Sequence, residues 1–396
     1  MKKLCYVALI LSLALSACGS STPTLVPTPT NSPETATETP ASVETATVTA
    51  LPTEASTITP TFLPTLSYPD AGYGPANFPA DVDPLTGLKA TNPALLQRRP
   101  MLIKVSNLPR NVRPQWGLSL ADIVFEYYTE EGSNRFAAIY YGNDANMVGP
   151  IRSGRFIDAY LVTGYKAMFA FGSAYEAEMN SFFKSNFANR MVVEAPYTPL
   201  KRYDPNGLDY LVVNTADLSN YATRRNLNGI QNLNNMLFKL PAPAGGQAAL
   251  QLFVHYSDST FGRWDYDSAS GRYLRFSDAA NITDASQPEQ YTQLTDRLNN
   301  QPLAFDNIVV LYVKHDLYSP SIYDIKLTGS GDAYAFRDGQ VYQVKWQRNA
   351  TDVVSLTNAD GTPFAFKPGT TWFEVIGLAS TLKQTDQSWR FTHVMP

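Results

Sequence analysis

The chain has 396 residues, of which 44% are apolar and 12% aromatic, enough to build a large buried core. Its two cysteines are Cys5 and Cys18, too close to the N-terminus to staple a folded body. With 31 basic and 35 acidic residues it lacks the basic surplus that a nucleic-acid partner requires.

Met1-Lys2-Lys3 precedes an apolar run from Leu4 to Leu15, and Leu15-Ser16-Ala17-Cys18-Gly19 follows. This order of charge, apolar core and small-residue site reads as a secretory signal over residues 1–17. The run is too short to span a bilayer. A cysteine directly after Leu-Ser-Ala matches the bacterial lipobox, which implies that Cys18 becomes a lipidated N-terminus. The protein is then expected at the outer face of the bacterial cytoplasmic membrane. Loss of Lys2 and Lys3 leaves 29 basic against 35 acidic residues, a net charge of −6. Lipid, rather than basic charge, is therefore expected to hold the chain at the membrane.

From Gly19 to about Ser67 the chain is Thr, Pro, Ser, Ala and Glu, with Phe62 its single aromatic residue. Such a segment cannot bury enough surface to offset its ordering entropy, and frequent proline favours extension. Residues 18–78 are expected to form the lipidated cysteine and a disordered stalk. A folded N-terminal domain is expected over 79–240. Met101 to Ser106 predicts a buried strand. Leu118 to Ile123 predicts a short helix capped by Ser119. Ile123 to Glu130 and Arg135 to Tyr141 alternate as two strands of a hairpin around Glu131-Gly132-Ser133-Asn134. The loop length sets Glu130 opposite Arg135 and Glu126 opposite Ile139. Ile123, Phe125, Tyr127, Phe136, Ala138 and Tyr140 would then share a core face, and Glu126, Tyr128, Glu130 and Arg135 a polar one. A helix is expected from Arg155 to about Thr163, a strand over Ala167 to Gly172, a helix over Tyr175 to Lys184, a strand over Tyr210 to Asn214 and a helix from Thr215 toward Arg225. Ile230 to Phe238 is amphipathic.

Pro241-Ala242-Pro243-Ala244-Gly245-Gly246 is a linker signature, and a C-terminal domain is expected over 247–396. Its pattern is nearly all strand. Candidate strands are Leu250 to Tyr256, Phe261 to Tyr266, Arg272 to Phe276, Asn307 to Val313, Ile322 to Lys326, Gly331 to Arg337, Gln340 to Trp346, Phe364 to Phe366 and Thr371 to Ile376. Asp338-Gly339 is a strong hairpin turn.

The stretch from Asp83 to Arg155 resembles the YerB-like lipoproteins, whose two domains carry the label domain of unknown function 3048. The resemblance rests on Pro84-Leu85-Thr86-Gly87-Leu88, Arg99-Pro100, Asn107, Arg113-Pro114-Gln115, Gly117-Leu118-Ser119, Ala121-Asp122-Ile123-Val124-Phe125-Glu126, Arg135-Phe136 and Gly149-Pro150-Ile151-Arg152-Ser153-Gly154-Arg155. Asp338-Gly339, Lys345-Trp346 and Lys367-Pro368-Gly369-Thr370-Thr371-Trp372 extend it through the C-terminal part. Trp116 and Ser133-Asn134 depart from the family pattern. The resemblance implies an α+β, two-part mixed fold of layered β-sheets with helices on an outer side and a mostly β C-terminal part. It implies a lipoprotein and supplies no reaction.

No catalytic residue, cofactor or metal ligand set emerges. His255, His315 and His393 lack metal-site spacing, no serine sits in a Gly-x-Ser-x-Gly elbow, and no phosphate loop occurs. Glu126 and Glu130 lie about 13 Å apart along a strand, too far for a glycosidase pair. Arg152 and Arg155, three apart at a helix start, can form an anion site or can pair with Asp122, Glu126 or Glu130 and lock the hairpin to the helix. Trp116, Tyr127, Tyr128, Tyr140 and Tyr141 can stack on a ligand or simply pack in the sheet. The expected ligand site is a polar cleft of Asp122, Glu126, Arg135, Arg152 and Arg155, holding an anionic or sugar-bearing cell-envelope ligand without catalysis. The alternatives are a cell-wall hydrolase using carboxylates of that cluster, and a scaffold that offers strand edges to a protein partner.

Overall fold

The computed structural model describes residues 68–204, 210–284 and 286–395; the signal, Cys18 and the stalk up to residue 67 lie outside them. In the N-terminal half the principal strands are β1 (Met101–Ser106), β2 (Ile123–Tyr128), β3 (Asn134–Tyr140), β4 (Met168–Ala170) and β5 (Met191–Val192). The C-terminal half adds β6 (Gln251–Ser257), β7 (Thr260–Asp267), β8 (Arg272–Asp278), β9 (Tyr291–Gln293), β10 (Asn307–Val313), β11 (Gly329–Arg337), β12 (Gln340–Arg348), β13 (Ser355–Thr357), β14 (Thr371–Gly377), β15 (Thr381–Thr385) and β16 (Ser388–Thr392). Three α-helices occur among the described residues: α1 (Phe156–Gly164), α2 (Glu176–Phe183) and α3 (Thr215–Arg224).

Strands from both halves build one large sheet in the order β13-β12-β11-β10-β14-β2-β3-β1-β4-β5. Its centre is β14, which runs parallel to β10 on one side and to β2 on the other. All seven β14 residues are buried. Its sequence, Thr-Trp-Phe-Glu-Val-Ile-Gly, shows no alternation because both faces are covered. A second, smaller sheet runs β9-β8-β7-β6-β16-β15. Alternation survives in β6, whose residues are buried and half-buried in turn.

Two cores flank the large sheet. One gathers Phe125, Ile139, Phe169 and Phe373 with Ile157, Leu161 and Val162 of α1 and Phe182 of α2. The other gathers Val124, Phe136, Val310 and Trp372 with Leu252, Trp264 and Phe391 of the smaller sheet and Leu218 of α3. The molecule is thus layered, with helices on the outside of a mixed sheet pair, as the α+β expectation holds. The Pro241–Gly246 segment is docked rather than loose. Arg337, fully buried, donates to the carbonyls of Lys239, Leu240 and Ala365 beside it.

Three local expectations need correction. The hairpin pairs Tyr127 with Arg135, Glu126 with Phe136 and Ile123 with Ile139, not Glu126 with Ile139. Glu131 and Gly132 both have positive φ, 51° and 76°, and Ser133 N–H closes the turn on Glu130. This tight turn leaves a shorter loop than expected and changes which β3 residues share a face with Ile123, Phe125 and Tyr127. Both faces are buried in any case, so neither is a solvated polar floor. The helix expected at Leu118 is a single 3₁₀ turn, Leu118–Leu120. Asp296, not Ser119, accepts its free N–H groups, from Gly117 and Ser119 at 2.8 Å each. Residues 68–78, expected in the stalk, pack on the body because Tyr73 pairs with Phe238 and Phe78 stacks edge-on against it. Ile230 to Phe238 is amphipathic as expected: it buries Leu233, Met236 and Phe238 and ends in the short strand Leu237–Phe238, without a helix.

Candidate functional site

The five residues expected to share a cleft fall into separate environments. Asp122 sits at the start of β2, fully buried, and accepts the N–H of Tyr141 at 2.5 Å and of Gly142 at 3.1 Å. Asp83 faces it. Asp83 Oδ1 accepts the N–H of Leu85 at 2.8 Å, while the buried Oδ2 has no ordinary partner. Burial, followed by the Asp122 charge, pushes the Asp83 carboxyl well above the usual range, and burial pushes Asp122 up to about 6.

Glu126 points to the opposite side of the strand from Tyr127. There it meets Glu374, its direct neighbour on β14, across a shared arginine. Arg275 Nη2 donates to both Glu126 oxygens at 3.0 and 2.9 Å, and its Nη1 to Glu374 at 3.0 Å. Trp372 donates to Glu126 at 3.1 Å, and Trp264 and Tyr256 to Glu374 at 2.8 and 3.0 Å. Asn134 adds a further donor to Glu126. Both carboxyls have zero exposure. Two acids therefore do meet, enclosed between the sheets, where Gly262 allows the guanidinium to lie against the backbone.

Glu130, Arg135 and Arg155 do come together. Arg155 grips Glu130 with Nε at 2.8 Å and with Nη2, and Arg135 Nη2 reaches the same carboxylate at 2.6 Å. Burial would raise the Glu130 pKa, but the Arg155 hydrogen bonds and the two guanidinium charges outweigh it and hold it below the usual range. Arg155 N–H donates to Asp158 at 2.6 Å, closing the start of α1. Behind this lies a fully buried group in which Tyr127 donates to Asp158 and Lys104 donates to Tyr127. Burial pushes Lys104 down to about 7, against the pull of Asp158, and burial pushes Glu178 up to about 7. Arg152 is half-buried and donates from Nε to Ser106 Oγ at 3.1 Å. Arg155 thus ties the hairpin acid Glu130 to the start of α1, the locking arrangement expected for it, while the Arg152 bond to Ser106 goes to β1 instead.

Trp116, Tyr127, Tyr140 and Tyr141 are buried, and only Tyr128 of the aromatic candidates is half-buried. His315 and His393, distant in sequence, lie with ring centroids 5.2 Å apart, and burial lowers their pKa values to about 4 and about 3.

An open cleft lies elsewhere. The loop Arg110–Pro114 of the N-terminal half faces the β8–β9 pair of the C-terminal half across a cavity of about 350 Å³. Arg110, Arg113, Pro114, Ser277, Asp278, Thr292, Gln293 and Thr295 line it. Asp278 holds the loop: Arg110 Nε reaches it at 2.7 Å, and Arg113 Nη1 and Nη2 at 3.1 Å each. Arg113 Nε is fixed by Asn107 at 2.9 Å. Among the charged lining residues, two guanidinium groups face one carboxylate, so one positive charge is in excess. Ser277 is 2% exposed and its hydroxyl has no partner. Arg113 and Pro114 were visible in the sequence as a motif. Ser277 and Asp278 were not, since nothing local links them to a loop more than 160 residues earlier.

Comparison with known proteins gives two family matches. The protein of unknown function (DUF3048) N-terminal domain matches residues 85–227, and its C-terminal domain matches residues 252–373. The chain is 28% identical over 305 residues to "Putative lipoprotein YerB" of Bacillus subtilis (strain 168), covering 74% of this chain and 85% of that one. The crystal structure of the YerB protein from Bacillus subtilis superposes with a TM-score of 0.63 at 25% identity, covering 74% of this chain and 96% of the other.

Proposed function

The chain belongs to the two-domain DUF3048 family, and we propose that it works as an extracytoplasmic, lipid-anchored binding protein rather than an enzyme. Cys18, in its lipobox-like setting, carries the anchor at the outer face of the cytoplasmic membrane, and the Thr- and Pro-rich segment links it to the body. The lipoprotein name of the Bacillus relative supports this anchoring. No helix of the described residues is long and apolar enough to cross a membrane.

The ligand is an anionic or sugar-bearing cell-envelope molecule. Its site is the Arg110–Arg113 cleft, and the observation that carries this choice is an open cavity of about 350 Å³ with an unpartnered buried hydroxyl and a surplus guanidinium charge. The acids that a hydrolase would need, Glu126 and Glu374, are sealed between two sheets around Arg275, which favours binding over glycan hydrolysis. A thermal-shift screen tests the proposal. The mature Cys18→Ser chain is heated with muropeptides, teichoic-acid fragments, sugars and simple anions. A ligand present at 100 times its Kd adds about 2.7 kcal/mol of stability. The shift should vanish in Gln293→Trp, which fills the cleft from its exposed rim. A shift that survives Gln293→Trp puts the site elsewhere, and no shift with any compound moves the role to a protein partner.

A further inference from the structure

We infer that the Arg110–Arg113 cleft recognises an oxyanion, phosphate or carboxylate, carried on a small hydroxyl-rich body; this rests on the cleft being the ligand site. The donors are arranged for such a group. A guanidinium offers five N–H groups. Arg110 spends one from Nε on Asp278 at 2.7 Å, one from Nη1 on Asn281 at 2.8 Å and one from Nη2 on the Ser259 carbonyl at 2.8 Å. One N–H on each terminal nitrogen has no acceptor among the described residues. Arg113 spends Nε on Asn107 at 2.9 Å, Nη1 on the Asp278 carbonyl and carboxylate at 2.7 and 3.1 Å, and one Nη2 hydrogen on the carboxylate at 3.1 Å. Its second Nη2 hydrogen is also without an acceptor.

Asp278 offers nothing in return. Its Oδ2 accepts from both arginines and its Oδ1 from Arg113 and, at 3.4 Å, from Phe261 N–H. The charged groups of the cleft therefore present spare donors and a net positive charge, with their one carboxylate fully engaged, which selects a ligand that accepts hydrogen bonds and carries negative charge. Ser277 adds a buried hydroxyl whose desolvation is uncompensated until a ligand arrives. Arg113 and Ser277 are held rigidly, the first by Asn107 and Asp278 and the second near the end of β8, where it pairs with Gly262 on one side and Thr292 on the other, so little ordering entropy remains to be lost on binding.

The cavity is too large for a bare oxyanion. Its lining includes exposed Thr292 and Gln293, half-buried Thr295 and the Pro114 ring. Hydroxyl and amide groups beside an apolar ring suit a polyol or sugar, whose faces alternate C–H and O–H. Because Arg110 and Arg113 come from the N-terminal domain and Ser277 from the C-terminal domain, a bound ligand ties the two together.

Titration calorimetry on the mature Cys18→Ser chain tests this with four probes: glycerol phosphate, glucuronate, inorganic phosphate and glucose. At least one anionic polyol should bind more tightly than inorganic phosphate, glucose should not bind, and affinity should fall as salt rises. Preference for glycerol phosphate assigns a phosphate-bearing ligand; preference for glucuronate assigns a carboxylate-bearing one. Ser277→Ala should weaken the preferred probe roughly tenfold, the effect of one hydrogen bond to a charged group. Since this buried hydroxyl has no partner in the fold, the variant should keep or slightly raise its melting temperature, which separates loss of binding from loss of structure. Glucose binding as tightly as the anions would overturn the oxyanion assignment and leave the cleft as the ligand site. Tight anion binding untouched by both Ser277→Ala and Gln293→Trp would overturn both, as would heat from no probe together with a screen showing no cleft-dependent shift.

Discussion

At the scale of single residues, the buried acids dominate. Asp83 and Asp122 face each other with no arginine between them; Arg98 acts on Asp122 only through its charge, its own hydrogen bonds going to Asp144, Tyr141 and Asn143. The orphan Oδ2 of Asp83 is explained if it carries a proton donated to Asp122. Both folded pKa values lie above the ordinary range near 3.9, so folding takes up protons. The sign follows directly. The contribution to stability is complete below about pH 4 and is lost as pH rises through the raised folded values, about 6 for Asp122. Asp83→Asn keeps a donor toward Asp122 and removes the titration. Its melting temperature should exceed that of the parent at pH 8.5 and fall less steeply between pH 5.5 and 8.5. Parallel melting curves for the two proteins across that range would rule out the shared proton. By contrast, Glu126 and Glu374 share Arg275 between them, and burial, followed by the Glu374 charge against the pull of Arg275, still pushes the Glu126 carboxyl well above the usual range.

Among the elements, the β2–β3 hairpin shows how one turn positions a site. Its two central residues, Glu131 and Gly132, lie in the left-handed region, which glycine adopts freely and glutamate does not. The Gly132 carbonyl also ties the turn to the second sheet: it accepts from the Ser257 and Thr260 hydroxyls, at 2.6 and 2.8 Å. Glu131→Asn relieves the strain at the first position and should raise stability by about 0.5–1 kcal/mol in urea unfolding. Gly132→Ala should lower it by about 1 kcal/mol or more, since the new methyl strains φ at +76° and comes within 3.2 Å of Ser257 Oγ. Equal stability of both variants and the parent would mean that the turn tolerates either conformation. The same turn sets the register that sends Glu126 toward Arg275 and Arg135 toward Glu130. An error of register at the sequence level therefore moves every acid on the hairpin to the wrong neighbour.

For the whole molecule, the decisive feature is that the two family domains share one sheet. β14 of the C-terminal half is inserted between β10 and β2, and its backbone is hydrogen-bonded on both edges. Cutting the chain in the Pro241–Gly246 linker would expose an edge of β2 and the apolar faces of two cores. Neither half should fold alone. Expressed separately, 68–240 and 247–396 should be unfolded or aggregated, and the intact body should unfold in urea in one cooperative step. Two separate transitions, or a soluble folded half, would show that the domains are independent. The sequence determined what depends on short range or on composition: a β-rich body with few helices, most strand positions, the Asp338–Gly339 turn, the helix starts at Arg155 and Thr215, and the family through motifs in order. Local chemistry writes those features, because caps, turns and periodicity act over a few residues. It could not decide which acid meets which arginine. Glu126 and Glu374 are 248 positions apart, and Arg113 and Ser277 are brought together only when the smaller sheet docks on the larger. Partners at that range are chosen by strand order and sheet packing, which leave no local trace, so the cleft and the sealed carboxylates belong to the tertiary structure alone.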